Sequence, residues 1–75
     1  MEKSVGFNLL TTIELNCLRG VAEAKSELEV GLECELSPAE VSSIISTAVI
    51  KLNCPNRVAA IAKAARLGLL RFDEK

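Results

Sequence analysis

The chain has 75 residues, a formal net charge of −1 at pH 7 and a hydrophobic content of 49%. This length suits one small domain, close to the lower limit at which a hydrophobic core holds a fold without help. Since the aromatic content is only 3%, the core must be built from Leu, Ile, Val and Ala, which favours helices over a β-sandwich.

Three helix starts are marked by the pattern Ser/Thr-x-x-Glu. The hydroxyl accepts a hydrogen bond from the amide three residues on, while the Glu side chain accepts one from the cap amide. Pro38 falls at the first helical position after the third cap, where its missing N–H costs nothing. The three motifs are Thr11-Thr-Ile-Glu14, Ser26-Glu-Leu-Glu29 and Ser37-Pro-Ala-Glu40.

A fourth helix start is predicted at Asn56, and Gly68 is typical of a left-handed helix stop. No segment is predicted to be a strand. Together these signals predict an all-α fold with four helices over 11–24, 26–35, 37–53 and 56–67.

The second and third predicted helices are separated by a turn around Glu35 and Leu36. A turn this short prevents the helices from lying antiparallel, so they must cross steeply as in a helix-turn-helix. Gly31, inside the second helix, costs about 1 kcal/mol relative to Ala and predicts a close helix contact at the crossing. The 3.6-residue period predicts four buried faces: Cys17, Leu18, Val21 and Ala22; Val30, Gly31 and Cys34; Val41, Ile45, Ala48 and Leu52; and Val58, Ile61, Ala62 and Ala65.

Three segments, LTTIELNCL, AEAKSELEVGLECELSPAEV and KLNCPNRVAAIAKAARLGLL, resemble the LuxR-type (GerE-like) helix-turn-helix DNA-binding domain. That family reads approximately L-T-x-x-E-x-x-x-L, a Ser/Thr-capped E-I-A helix, S-x-x-T-V, K-L-x-x-x-N-R and A-x-x-x-A-x-x-L-G-L-L. The resemblance covers residues 10–70 without insertion or deletion, so we expect tails at 1–9 and 71–75. The matching residues are Leu10, Thr11, Glu14 and Leu18; Ser26, Glu29 and Val30; Ser37 and Val41; Lys51, Leu52, Asn56 and Arg57; and Ala60, Ala64, Leu67, Gly68, Leu69 and Leu70.

The resemblance implies a stand-alone transcriptional regulator that binds promoter DNA as a dimer, with no cofactor. The second helix would cross the DNA backbone, the third would enter the major groove, and the fourth would support a homodimer. Glu14 would brace the domain, Lys51 would suit a phosphate, and Arg57 would be either a phosphate contact or a brace. The candidate base-reading hydroxyls are Ser42, Ser43, Ser46 and Thr47, and the candidate dimer face is Ala59, Ile61, Ala62 and Leu69.

The chain departs from the family where side chains meet DNA. It has Glu40 where the family has Thr, Ser42 where Lys or Arg is usual, and Ile44 where His, Arg or an aromatic residue is frequent. Residues 23–40 hold six Glu and one Lys, a local charge of −5, whereas residues 51–71 hold five Lys or Arg and no acid. Because cations supply much of the affinity for DNA, this distribution tests the resemblance.

Two interpretations remain open. In the first, the basic fourth helix contacts phosphates while the hydroxyls of the third reach base edges. In the second, the domain has kept the fold, lost DNA binding, and uses an apolar patch either to self-associate or to dock to another transcription regulator. The patch residues are Leu28, Leu32 and Ile44, with Leu15 and Ile50 beside them.

Other functional classes have little support in the sequence. Cys17, Cys34 and Cys54 form no CxxC pair and there is no His, so we expect core thiols in a reducing cytoplasm and no metal site, with a redox switch as the alternative. No segment approaches about 18 consecutive apolar residues and no signal peptide is evident, so we expect no membrane contact. Without a His or a Gly-rich phosphate loop, we expect no enzymatic activity.

Overall fold

The computed structural model describes residues 10–70, which form four α-helices and no strand. Each helix is one or two residues shorter at each end than predicted, because the capping residues lie outside the helix itself. The expected tails at 1–9 and 71–75 lie outside the described residues. None of the four helices is both long enough and apolar enough to span a bilayer. They are α1 (Thr12–Ala22), α2 (Glu27–Cys34), α3 (Pro38–Lys51) and α4 (Arg57–Arg66).

The three predicted capping boxes are confirmed. At the start of α1, the Glu14 amide donates to Thr11 Oγ1 at 3.2 Å and the Thr11 amide donates to Glu14 Oε1 at 2.8 Å. These reciprocal bonds satisfy amides that would have no partner inside the helix. The same pair of bonds starts α2 and α3, at Ser26–Glu29 and Ser37–Glu40.

The fourth cap and the helix stop are confirmed as well. Asn56 Oδ1 accepts from the Ala59 amide at 2.9 Å and so starts α4. Gly68 has φ +79°, a left-handed conformation that a side chain would strain. The local signals therefore fix where all four helices begin and how the last one ends.

The turn between α2 and α3 closes on the last turn of α2. Glu35 adopts a left-handed conformation with φ 63°, and the Leu36 amide donates to the Gly31 carbonyl at 2.8 Å. A Cβ atom on Gly31 would overlap the Leu36 carbonyl oxygen. The predicted close approach at Gly31 is thus present, but its partner is the backbone of the turn rather than another helix.

The core lies where α1, α2 and α4 surround α3, which packs against all three. The predicted faces of the first three helices are confirmed, with Val21, Ala22 and Cys34 at the half-buried margin. The largest side chains that are wholly buried are Leu18, Ile45, Val30, Val41 and Cys17.

The predicted buried face of α4 is wrong. Ala60 and Ala64 are completely buried, whereas Val58 is 78% exposed. Of the other predicted residues, Ile61 is half-buried, while Ala62 and Ala65 are exposed. The prediction followed the larger side chains, but small residues four apart let the backbone of α4 approach its neighbours closely. The Ala-x-x-x-Ala motif marked the true face.

The cysteines differ in accessibility. All three are free thiols, with Cys17 wholly buried and Cys34 and Cys54 half-buried. Burial, with a smaller contribution from neighbouring Cys34, raises the pKa of the Cys17 thiol to about 11. Since the thiolate is the reactive form, iodoacetamide at pH 8 should modify Cys34 and Cys54 well before Cys17.

Mass spectrometry of timed samples measures this order, and the same reaction in urea is the control, in which the three thiols should react at similar rates. Early labelling of Cys17 in the folded protein would contradict the buried position.

Candidate nucleic-acid interface

The outward face of α3 is covered by small hydroxyl side chains. Its inward face is fixed by Val41, Ile45 and Ala48, which are fully buried. Of the candidate reading residues, Ser43, Ser46 and Thr47 are exposed and Ser42 is half-buried. The Thr47 hydroxyl donates to the Ser43 carbonyl at 3.1 Å, which leaves its oxygen free to accept. Such groups can bond to base edges without adding charge.

Arg57 lies between two other helices. Its Nη2 donates to Glu27 Oε2 at 2.7 Å and to Ser42 Oγ at 3.3 Å. The Arg57 and Glu27 side chains are 38% and 35% exposed. Arg57 therefore ties the start of α4 to α2 and α3, and a phosphate contact at this position would compete with Glu27.

Lys51, at the end of α3, is bound by Glu14 of α1. Its Nζ donates to both carboxylate oxygens of Glu14, at 3.0 and 3.1 Å. Glu14 is only 7% exposed, and it also caps α1 by accepting from the Thr11 amide. Burial raises the pKa of Glu14, but the hydrogen bonds from Thr11 and Lys51 together outweigh burial, so the pKa lies below its usual value.

Sequence reasoning identified Glu14 as a cap and brace and Lys51 as a cation near the end of α3, but not their pairing. The two residues are 37 positions apart, and nothing local in the sequence connects them. A signal does exist: a Glu on the apolar face of a helix needs a positive partner. Glu27 and Arg57, 30 positions apart, were missed for the same reason.

The other cations of residues 10–70 are mostly engaged too. Lys25 Nζ contacts Glu33 at 2.9 Å and Glu23 at 3.5 Å, and Lys63 Nζ donates to the Leu52 carbonyl at 2.9 Å. Arg19 also has a partner. Within this range Arg66 alone is a cation without a bond or ion pair. Most cationic side chains of residues 10–70 are therefore bound to carboxylates or carbonyls of the same chain.

The surface of α2 is acidic and apolar. Leu28 and Leu32 are 58% and 73% exposed, as the sequence predicted for a patch. Ile44 and Leu15, which were expected to join them, are half-buried and pack against the core. The exposed position of Ile50, at 75%, is confirmed, but it lies at the far end of α3. The exposed apolar patch therefore consists of Leu28 and Leu32 alone, rather than the larger set that the sequence predicted.

The acidic and cysteine side chains of residues 10–70 do not gather into a metal site. No group of three or more His, Cys, Asp or Glu side chains converges there in a way that would hold a metal ion. The acidic residues of α2 and the turn are instead committed to capping bonds and ion pairs, or point to solvent.

Comparison with known proteins agrees with this geometry. Residues 8–64 match the model of the family described as bacterial regulatory proteins, luxR family. The chain is also 37% identical over 67 residues to the HTH-type quorum sensing-dependent transcriptional regulator VjbR of Brucella ovis, and equally to VjbR of Brucella abortus. The match covers 89% of this chain but 26% of each VjbR chain. No solved structure matches significantly.

The family contains regulators rather than enzymes, and its model spans the capping boxes, the α2–α3 turn and most of α4. The all-α helix-turn-helix fold and the match of residues 8–64 to the family model both point to one family. The chain belongs to the LuxR family of bacterial regulatory proteins.

Proposed function

We propose that this chain regulates transcription by placing α3 in the major groove of promoter DNA, as part of a homodimer. The observation that carries the proposal is the outward face of α3, the second helix of the helix-turn-helix, with Ser43, Ser46 and Thr47 exposed. VjbR, which shares 37% identity over the matched region, is described as a transcriptional regulator. The chain spans about a quarter of the length of VjbR, so the sensing implied by that description is not transferred.

The contacts in this proposal fall into two groups. The hydroxyls of Ser43, Ser46 and Thr47 reach base edges, while Ser42 supports Arg57. Arg66 supplies phosphate contact, and Lys51 and Arg57 primarily hold α3 and α4 in place through their carboxylate partners. Affinity for DNA rises with the number of phosphates that the protein neutralises. One domain with few free cations therefore binds DNA weakly, and a dimer, which doubles the number of phosphate contacts, binds more tightly.

The test is selection of bound sequences from a pool of random 30-base-pair duplexes at low salt, followed by fluorescence anisotropy with the enriched duplex. The double variant Ser46→Ala/Thr47→Ala should lose most of the preference for the enriched over a scrambled duplex, about tenfold, because it removes two base-contacting hydroxyls. Its affinity for the scrambled duplex should hardly change.

Thr12→Ala is the matched control, since Thr12 is an exposed threonine on α1 outside the proposed interface. A second variant, Ser46→Arg, should strengthen binding to every duplex and steepen the salt dependence by about one phosphate contact. The absence of binding to any duplex at low salt would refute the DNA proposal.

A second candidate function is a protein-interaction module that has lost DNA binding and modulates another transcription regulator. It is favoured by the acidic segment of residues 23–40, whose only cation, Lys25, is paired with Glu23 and Glu33. The duplex selection separates the two candidates. A folded protein that enriches no sequence, and whose complex with a regulator is abolished by Leu28→Lys or Leu32→Lys, would support the module.

The dimer of the proposal involves α4. Of the residues first expected there, Ala62 is exposed, and Ala59, Ile61 and Leu69 are half-buried. The exposed side of α4 also includes Val58, which sequence reasoning had placed in the core. The dimer face is therefore proposed to centre on Val58 and Ala62.

A further inference from the structure

We propose that Cys17 and Cys34 form a modification site, at which a low-molecular-weight disulfide such as oxidised glutathione converts the two thiols to a disulfide bond. The bond joins α1 to the last residue of α2, beside the turn that leads into α3. Neither cysteine belongs to the DNA or dimer contacts proposed above, so this inference stands apart from them.

The contact between α1 and α2 sets the positions of the two cysteines. A Cβ atom on Gly20 would lie 2.6 Å from Val30 Cγ2, so the helices touch where α1 has no side chain. Because only residues 23–26 connect them, the helices run in opposite directions. Cys17 lies about one turn from Gly20 and Cys34 about one turn from Val30, both on the side away from the connection. The two cysteines therefore occupy facing positions.

The surroundings of the two sulfurs agree with this register. Cys17 is wholly buried, and the half-buried Cys34 packs against the core cluster that contains it. Burial is the main cause of the raised pKa of Cys17, and Cys34 adds to it through its charge and a side-chain hydrogen bond, which act only between close neighbours. The third thiol is directed elsewhere, since Cys54 Sγ donates to the Leu52 carbonyl at 3.5 Å.

Close packing of the two helices favours the bond. A disulfide needs Cα atoms about 4.4–6.8 Å apart, which is closer than most residues on neighbouring helices. The missing side chain at Gly20 lets α1 and α2 approach more closely than larger residues allow. Facing residues one turn away share that close approach.

A cavity gives the oxidant access to Cys34. This open, polar cavity of about 480 Å³ lies between α1 and α2, and Cys34 is part of its wall. Small-molecule sites have volumes of about 300–1,000 Å³, so a peptide-sized disulfide can enter. Side chains of both charges line it, among them Lys25 and Glu33, and such a lining suits a molecule that carries both carboxylates and ammonium groups.

The modification needs two displacements at sulfur. In the first, the Cys34 thiolate attacks one sulfur of oxidised glutathione, forms a mixed disulfide and releases one glutathione thiolate. In the second, the Cys17 sulfur loses its proton and attacks the Cys34 sulfur, which breaks the mixed disulfide and releases the second glutathione thiolate. The two released thiolates take up the protons of the two cysteines. Two protein thiols are thus oxidised while one small disulfide is reduced to two thiols.

The second displacement is the slower one. It uses a thiol whose pKa burial raises to about 11, so only a small fraction of Cys17 is thiolate at mildly alkaline pH. The step is intramolecular because the two sulfurs face each other, and it needs no second oxidant molecule. The mixed disulfide at Cys34 should therefore appear first and the protein disulfide later.

The experiment treats the folded, reduced full chain with an excess of oxidised glutathione at mildly alkaline pH. Timed samples are quenched with acid, blocked with iodoacetamide in urea and analysed by mass spectrometry. Trypsin places the three cysteines on separate peptides, residues 4–19, 26–51 and 52–57. The expected product links the first two of these peptides, and the intact chain that carries this bond has lost two hydrogen atoms.

Three variants assign the roles. Cys17→Ala should stop at the mixed disulfide on Cys34, because the second attacking sulfur is absent. Cys34→Ser should leave Cys17 reduced in the folded protein, since Cys17 is buried. Cys54→Ser is the matched control, because Cys54 is also half-buried but should not affect the rate or the position of the bond.

The bond should also stabilise the fold. A disulfide that closes the loop between Cys17 and Cys34 restricts the unfolded chain and should raise the melting temperature by about 10 °C. Circular dichroism at 222 nm compares the oxidised and reduced forms. Cys54→Ser should show the same shift and Cys34→Ser should show none.

Other results would overturn the inference. A wild-type protein that accumulates only the mixed disulfide, or that links Cys34 to Cys54, would refute the pairing. A bond between Cys17 and Cys34 that forms only in urea would show that the fold does not bring them together. An oxidised form that melts no higher than the reduced form would show that the bond distorts the fold.

Discussion

Gly31→Ala is expected to lower the free energy of unfolding by about 2–3 kcal/mol, a large share of the total for a small domain. The added Cβ would overlap the Leu36 carbonyl oxygen, and that oxygen belongs to the backbone of the turn between α2 and α3. Neither helix can move away freely, because Val30 and Val41 beside the turn are buried. The gain in helix propensity from Gly to Ala, about 1 kcal/mol, offsets only part of the strain.

Urea unfolding followed by circular dichroism at 222 nm measures the change, and Gly20→Ala is the comparison. A Cβ on Gly20 would lie 2.6 Å from Val30 Cγ2, a side-chain atom that can be displaced without moving the backbone, so the expected loss is smaller, about 1–2 kcal/mol. Both variants receive the same propensity gain. A Gly31→Ala protein as stable as wild type would show that the turn does not pack against α2 as described.

The predictions that succeeded concern interactions between neighbours in the chain. A capping box needs only a hydroxyl and a carboxylate three residues apart, so Ser26 with Glu29 and Ser37 with Glu40 could be recognised without knowing the fold. The left-handed stop at Gly68 is equally local. The buried faces of α1, α2 and α3 followed from periodicity because each has one clearly apolar side.

The predictions that failed depend on packing between distant segments. The face of α4 is ambiguous in sequence because nearly every side is alanine, so the close approach through Ala60 and Ala64 decides it. Distant packing also supplies what the sequence left open at Lys51 and Arg57. The family resemblance suggested phosphate contacts there, with a brace as the alternative at Arg57, but the partners that engage them, Glu14 and Glu27, come from other helices. The sequence was enough to place the hydroxyls of α3 on its exposed face. Base reading by these hydroxyls is a contact with a second molecule, so the sequence of one chain does not determine it.

Lys51→Met should lower the free energy of unfolding by about 2 kcal/mol at pH 7. The substitution keeps most of the apolar stem but leaves the Glu14 carboxylate, 7% exposed, without its positive partner. A fully buried ion pair would cost more stability when broken, but the Lys51 side chain is 31% exposed, and water therefore weakens its attraction to Glu14. Thermal and urea unfolding measure the change, and Lys51→Met/Glu14→Gln should recover part of it because no buried charge then remains.

The same ion pair predicts a pH dependence. The pKa of Glu14 is lower in the folded protein than its ordinary value of 4.5, because the bonds from Thr11 and Lys51 outweigh the opposing effect of burial. A carboxyl group of this kind stabilises the fold fully above the unfolded pKa, and that stability is lost as the pH falls through the folded pKa. Wild-type stability should therefore decline below about pH 4.5, and Glu14→Gln should flatten part of that decline.

Glu40→Gln is the matched control, since Glu40 caps α3 in the same way but is exposed. Both substitutions remove a capping bond, but only Glu14→Gln also removes the ion pair with Lys51, so the difference between the two variants below about pH 4.5 measures the effect of that ion pair. An acid slope that is identical in wild type and Glu14→Gln would contradict the lowered pKa. Because Glu14 and Lys51 connect α1 to the end of α3, the proposed DNA binding should weaken over the same pH range if this ion pair fixes the position of α3.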